Sequence, residues 1–204
     1  MRSWAMCALI FVTNFLLSAE PPPLDKAPTD TGKSLMRGEV GSFGWNRGGD
    51  KKHTGLDIVA NQSNEDKETY RVMAVRRGKV AYARFNGEAE DKGFGFTIIL
   101  DHGDGYYTMY AHLATKASEG KVKLGQEVNA GDVIGYMADP KNGELSSGNV
   151  RADVVKTYDK IQLHFELFTA EKGRSSTTTI AVIKKDGKLV DPTPLLAKFE
   201  YKSF

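Results

Sequence analysis

Cysteine is nearly absent from this chain: its 204 residues contain one, Cys7, close to the N-terminus. A disulfide framework is thereby excluded, and any mature form that loses the first residues has no thiol for nucleophilic chemistry. Charge of one sign is also lacking, since 28 Lys and Arg are interspersed with 26 Asp and Glu for a formal net charge of +2. A nucleic-acid partner is therefore not expected, because phosphate-driven affinity needs a concentrated positive surface. No serine stands in a nucleophile-elbow pattern, and no glycine-rich phosphate loop appears. Histidine is scarce too, with four in the chain.

The one extended apolar run, residues 5–17, is interrupted only by Thr13 and Asn14. It is shorter than the roughly 20 residues a membrane-spanning helix needs. Arg2 precedes it, while the small residues Ser18 and Ala19 follow it, ahead of Glu20 and Pro21-Pro22-Pro23. This is the pattern of a secretory signal, expected to be cleaved near Ala19 and to leave no stable membrane insertion; the competing reading is an uncleaved anchor. Cys7 lies too near Met1 for a usual lipoprotein signal. Residues 20–37, rich in Pro, Lys, Asp and Thr, are expected to form a linker. The folded domain is expected over residues 38–196, with a tail at 197–204.

Within the domain, short β-branched and aromatic runs alternate with Gly, Asp and Asn turns, and long helical periodicity is missing. Strands are predicted over residues 70–75, 79–85, 96–101, 106–111, 132–137 and 161–168, with Leu56-Asp57-Ile58-Val59-Ala60 as a further buried strand. Asp104-Gly105 predicts a hairpin, because Gly accepts the positive φ of such turns. Residues 194–201 predict one short terminal helix. The expected fold class is all-β, an antiparallel sandwich or partly open barrel. Val72-Met73-Ala74-Val75 with Gly78-Lys79-Val80, and Val128-Asn129-Ala130-Gly131-Asp132-Val133, loosely resemble the hairpin units of lipoyl and biotinyl carriers. The lysine-bearing hairpin tip of those carriers is missing, so a carrier role is set aside.

Three of the four histidines fall in strand-like surroundings: His53-Thr54-Gly55-Leu56-Asp57, Tyr110-Ala111-His112-Leu113 and Gln162-Leu163-His164-Phe165-Glu166. Two imidazoles and a carboxylate can form the ligand set of a hydrolytic zinc with one position open to water. On an extended strand His53 and Asp57 would lie roughly 13 Å apart, so sharing an ion requires a bend, for which Gly55 offers the place. The competing reading is a polar loop entering a buried strand. In the third stretch strict alternation puts Ile161, Leu163, Phe165 and Leu167 on the core face and Gln162, His164 and Glu166 on the other, as in a lined cleft. Glu166 is either an acceptor behind a ligand or a solvated charge. The same alternation groups Tyr106, Thr108, Tyr110 and His112 on one face, and His112 taken alone reads as a structural histidine sooner than as a catalyst. His102, in the turn Asp101-His102-Gly103-Asp104-Gly105, is assigned no chemistry.

Together these residues resemble the lysostaphin-type (LytM-type) zinc endopeptidases that cut peptidoglycan peptides. The resemblance runs from Ser42-Phe43-Gly44-Trp45 and His53-Thr54-Gly55-Leu56-Asp57-Ile58-Val59-Ala60, through Ile99-Leu100-Asp101-His102-Gly103-Asp104-Gly105-Tyr106 and Tyr110-Ala111-His112-Leu113. It continues through Gly125-Gln126-Glu127-Val128-Asn129-Ala130-Gly131-Asp132-Val133-Ile134-Gly135 and Leu163-His164-Phe165-Glu166-Leu167 to Val190-Asp191-Pro192. It implies the fold built on a duplicated hybrid motif, Zn2+ held by His53, Asp57 and His164, and His112 as one of two catalytic histidines. It further implies peptidoglycan peptides as substrate and an exported location, in the periplasm or outside the cell.

The second catalytic histidine belongs where this chain has Gln162. Glutamine can donate a hydrogen bond to an oxyanion but cannot shuttle a proton, and losing a general acid/base costs about 10²–10⁴-fold. The short loop the family carries before this strand is replaced by a longer stretch, residues 137–160, with Arg151, Asp153, Lys156 and Tyr158; it reads first as a surface insertion with no chemical role, with Tyr158 as the candidate to stand in for the missing imidazole. The resemblance therefore supports an exported endopeptidase first. The alternative is a catalytically impaired relative that binds peptidoglycan or activates a partner cell-wall hydrolase.

Overall fold

All seven predicted strands form where the β-branched and aromatic runs place them, each within two residues of the expected ends, and the hairpin at Asp104-Gly105 joins two of them. The structure, a computed structural model, describes residues 20–31, 34–36, 38–60, 70–86, 94–139 and 161–203. Residues 1–19, the expected leader, and most of the 137–160 stretch, including Arg151, Asp153, Lys156 and Tyr158, lie outside the described residues.

The strands in chain order are β1 (Ser34–Met36), β2 (Leu56–Ala60), β3 (Arg71–Met73), β4 (Gly78–Asn86), β5 (Gly95–Asp101) and β6 (Tyr106–Leu113). They are followed by β7 (Glu127–Val128), β8 (Val133–Tyr136), β9 (Gln162–Thr169), β10 (Lys188–Val190) and β11 (Lys202–Ser203). Helices are short: α1 (Thr115–Ser118), α2 (Ile180–Lys184), and α3 (Thr193–Leu196) leading into a 3-10 turn at Ala197–Phe199, where a terminal helix was expected. One sheet runs β11-β1-β2-β9-β6-β5-β4-β7, with β10 paired to β9 on the β2 side; a second, two-stranded sheet is β3-β8. All pairs are antiparallel except β1 with β11, and among the described residues the large sheet does not close into a barrel. The two loosely similar segments meet as strand partners, Met73 opposite Val133 and Gly78 opposite Val128.

The large sheet is covered on both faces, which is why β6 is buried along its whole length and β9 at every residue but Thr169. One face, with Ile58, Ile98, Leu100, Tyr110, Leu163 and Phe165, packs against Val72 and Ile134 of the small sheet. The opposite face, with Tyr82, Ile99, Tyr107, Met109 and Phe168, is covered by Ile180 and Ile183 of α2.

The stretch expected to be a linker differs from that expectation. Leu24 is fully buried in the main core, Met73 N–H donates to the Pro28 carbonyl (2.8 Å), and β1 pairs with β2. Composition misleads here because one leucine and a few backbone hydrogen bonds suffice to seat a polar segment. The expected tail also packs: Tyr201 touches the core, and its hydroxyl lies 2.7 Å from the Thr29 hydroxyl. Leu24→Ala is accordingly expected to destabilise the domain by about 2–5 kcal/mol, as for other buried leucines. Urea unfolding measures this, and a midpoint equal to the wild type would restore the linker reading.

Candidate functional site

The site forms where β2, β9 and β6 run side by side. Asp57 pairs across with His164, and His164 on its other side with Ala111, so the carboxylate and one imidazole share a sheet face by register alone. His53 lies just before β2 and is pinned to a neighbouring loop: its N–H donates to the Trp45 carbonyl (2.8 Å), and its carbonyl accepts from Gly44 N–H (2.9 Å). Gly55 allows the approach, though not by bending through an unusual φ as the spacing suggested. A Cβ there would stand 2.4 Å from the Phe165 carbonyl oxygen and 2.9 Å from His164 Cε1, so only glycine fits against β9.

Three ligand-capable atoms converge. His53 Nε2 lies 3.0 Å from His164 Nδ1, and Asp57 Oδ1 is 3.2 Å from the first and 3.1 Å from the second. The outer nitrogens fix both tautomers. His53 Nδ1–H donates to the Ser42 carbonyl (2.9 Å) and His164 Nε2–H to Glu166 Oε1 (3.0 Å), so each ring turns its other nitrogen inward. Two inward nitrogen lone pairs and a carboxylate oxygen this close repel one another unless a cation, a proton or a metal ion, lies among them. Zinc at about 2.0–2.1 Å from N and O ligands would place tetrahedral ligand atoms about 3.3 Å apart, close to this triangle. The donor set therefore fits the metal that the sequence implied.

Electrostatics agree. Burial pushes His164 down, but hydrogen bonds to Asp57 and Glu166 outweigh it and bring the ring up to about 9. Burial raises Asp57, yet its bonds to His164 and His53 hold it well below the carboxylate range. Glu166, also buried, is brought down to about 2 by its contacts with His164 and Lys184. It is thus the acceptor behind the His164 ring and not a solvated charge.

His112 reaches the same cluster by a route that simple alternation does not supply. Tyr110 pairs with Phe165 on the face turned to the small sheet, so period two would send His112 there as well. Instead β6 carries a bulge: Ala111 and His112 oppose the single Thr97 of β5, and His112 adopts φ 63°. Histidine is among the few non-glycine residues enriched in that conformation. The bulge resets the alternation and brings the His112 ring centre to 5.6 Å from that of His164. Burial first, then the nearby His164 charge, lowers His112 to about 3, so it is a neutral imidazole at neutral pH. Gln162 is buried at the start of β9, opposite Val59 and on the His164 side by alternation.

His102 stands apart from the cluster. Its Nδ1–H donates to the Arg77 carbonyl (2.8 Å) and its Nε2 meets the Thr108 hydroxyl (2.9 Å), a structural role. Sequence reasoning missed Arg47, whose Nη2 lies 3.5 Å from Asp57 Oδ2, and Thr54 and Lys184, both of which bond Glu166. Thr54 sat within the first motif; for Lys184 no sequence signal existed.

The pattern of peptidase family M23 matches residues 51–178. The cell division protein DipM of Caulobacter vibrioides is 26% identical over 195 residues, 87% of this chain and 26% of that protein. The murein hydrolase activator NlpD of Escherichia coli K12 is 34% identical over 149 residues, 72% of this chain and 30% of its own. The chain thus spans less than a third of the length of these curated relatives. In fold it resembles a putative glycyl-glycine endopeptidase lytM from Ruminococcus gnavus, with TM-score 0.55 at 23% identity over 89% of this chain and 61% of that one. It also resembles a chain of the SpoIIQ–SpoIIIAH pore-forming complex, with TM-score 0.53 at 16% identity over 89% of this chain and 99% of that one. With the family pattern extending over more than half of its residues, the chain belongs to peptidase family M23.

Proposed function

We propose that this protein is an exported zinc-dependent endopeptidase that hydrolyses peptide cross-links of peptidoglycan. The observation that carries the reading is the convergence of His53 Nε2, Asp57 Oδ1 and His164 Nδ1 with both imidazole tautomers held from behind. These three side chains would hold the ion. Zinc bound there supplies Lewis acidity and lowers the pKa of water toward 7. His112, neutral and beside the cluster, would take a proton from the attacking water and pass it to the leaving amine. Gln162 would steady the developing oxyanion with its amide N–H, without carrying a proton. Arg47, at the rim, holds the second oxygen of Asp57. The leader pattern of residues 1–19 supports export, and among the described residues no helix is long and apolar enough to cross a membrane.

A second reading is favoured by one observation, Gln162, together with the activator name carried by NlpD relatives. In it the domain binds peptidoglycan or switches on a partner cell-wall hydrolase. Digestion of purified peptidoglycan by the mature protein, with and without a zinc chelator, separates the two. Chelator-sensitive release of peptide-cut fragments, read by mass spectrometry, is expected. No release by folded, zinc-loaded protein from several cross-link chemistries would put the activator reading first.

The roles divide cleanly under mutation. His164→Ala is expected to abolish zinc binding, whereas His112→Ala keeps zinc and loses about 10²–10⁴-fold in rate. Metal analysis alongside turnover checks this, and the reverse pattern would overturn the assignment.

A further inference from the structure

Glu166 is fully buried, and both of its oxygens are taken. Oε1 accepts from His164 Nε2–H (3.0 Å) and from the Thr54 hydroxyl (2.5 Å); Oε2 is ion-paired with the Lys184 ammonium. The lysine comes from the last residue of α2, a helix held on the sheet by buried Ile180 and Ile183. Its ammonium also lies 5.4 Å from the centre of the Phe168 ring and 5.9 Å from that of Phe94. Phe94 in turn stacks at a tilt on His164, ring centres 5.6 Å apart. Lys184 lies beyond residues 51–178, outside the part of the chain that the family pattern covers.

We infer that Lys184 is a positioning residue: it locks the Glu166 carboxylate, which locks the His164 ring with Nδ1 aimed at Asp57 and His53. Two donors hold Oε1, and a rotation about the Cγ–Cδ bond would carry that oxygen away from them. A cation on Oε2 holds the second oxygen as well, so the carboxylate plane is fixed at both ends, and Lys184 is the cation placed there. The docking of α2 is thereby coupled to the geometry of the ligand cluster. The inference rests on reading that cluster as a metal centre, and its test includes a measurement that needs no metal.

Lys184→Met, Lys184→Gln and Lys184→Arg are to be compared with the wild type by two readouts. The first is the His164 Nε2–H proton resonance of the metal-free protein by NMR, which reports the bond to Glu166 directly. The second is zinc affinity by competition with a chromophoric chelator. The resonance is expected in the wild type and Lys184→Arg, and lost to exchange in the Met and Gln variants. Zinc affinity is expected to fall about 10–100-fold in Met and Gln, the usual cost of removing such a supporting contact, and only a few-fold in Arg. If Lys184→Met does not fold, Lys184→Gln, at a side chain about one-quarter exposed, is read alone. A purely structural lysine would lower the unfolding midpoint while leaving resonance and affinity unchanged, which would overturn the inference. Absence of the resonance from the wild type would overturn it as well. A resonance that depends on Lys184, in a protein that takes no zinc, would uphold the positioning role and refute the metal reading instead.

Discussion

Gln162→His is expected to raise the rate of peptidoglycan cross-link hydrolysis by about 10²–10⁴-fold, the contribution of one positioned general acid/base. Gln162 begins β9, is buried, and lies two residues before His164 on the same face. Imidazole and the glutamine side chain are similar in volume, so the exchange neither opens a cavity nor overpacks the strand. Burial would act on a second ring in the same layer in the same direction as on His112. Two imidazoles could then relay the proton taken from the attacking water to the leaving amine, a path that a single histidine beside a glutamine does not offer. The check is kcat on purified peptidoglycan for wild type and variant, each verified as zinc-loaded. Equal rates in two active proteins would show that Gln162 does not limit catalysis. Inactivity of both would leave the activator reading standing.

Gly55→Ala is expected to destabilise the domain by about 1–3 kcal/mol or more, and to weaken zinc binding at least tenfold. The added Cβ would lie 2.4 Å from the Phe165 carbonyl oxygen, 2.9 Å from Glu166 Cγ and 2.9 Å from His164 Cε1. The first of these is backbone of a central strand, with β6 on its other side, and cannot recede without breaking the sheet. The strain therefore falls on β2 and the residues around it, where His53 and Asp57 flank the glycine by two positions each. Urea unfolding and chelator competition measure the two losses. A variant with unchanged zinc affinity would mean that the ligands hold their positions independently of this close approach.

Much of the site was legible because β-strand alternation is a local property. Ile161 to Leu167 reads as apolar and polar in strict turn, and the structure buries Gln162, His164 and Glu166 along one side. The long strands β4, β5, β6 and β9 were legible for the same reason. Of the two- and three-residue strands, β1, β7, β10 and β11 were not, since a run that short has no period to read, whereas β3 was found through the longer apolar run that follows it. Leu24 was hidden among prolines and charges, and nothing but its tertiary contacts marks it as core.

By itself the sequence determined which side chains are available for the chemistry: two imidazoles and a carboxylate able to serve as ligands, one further histidine, and a glutamine two residues before His164. Those identities survive any reading of the strands. Only the tertiary structure decided where two of the decisive groups point. His112 joins the cluster because pairing with β5 forces an extra residue into β6, and the face a side chain takes beyond a bulge depends on the partner strand and not on its own neighbours. Glu166 supports His164 because a lysine eighteen residues later folds back onto it, a contact set by how α2 packs against the sheet.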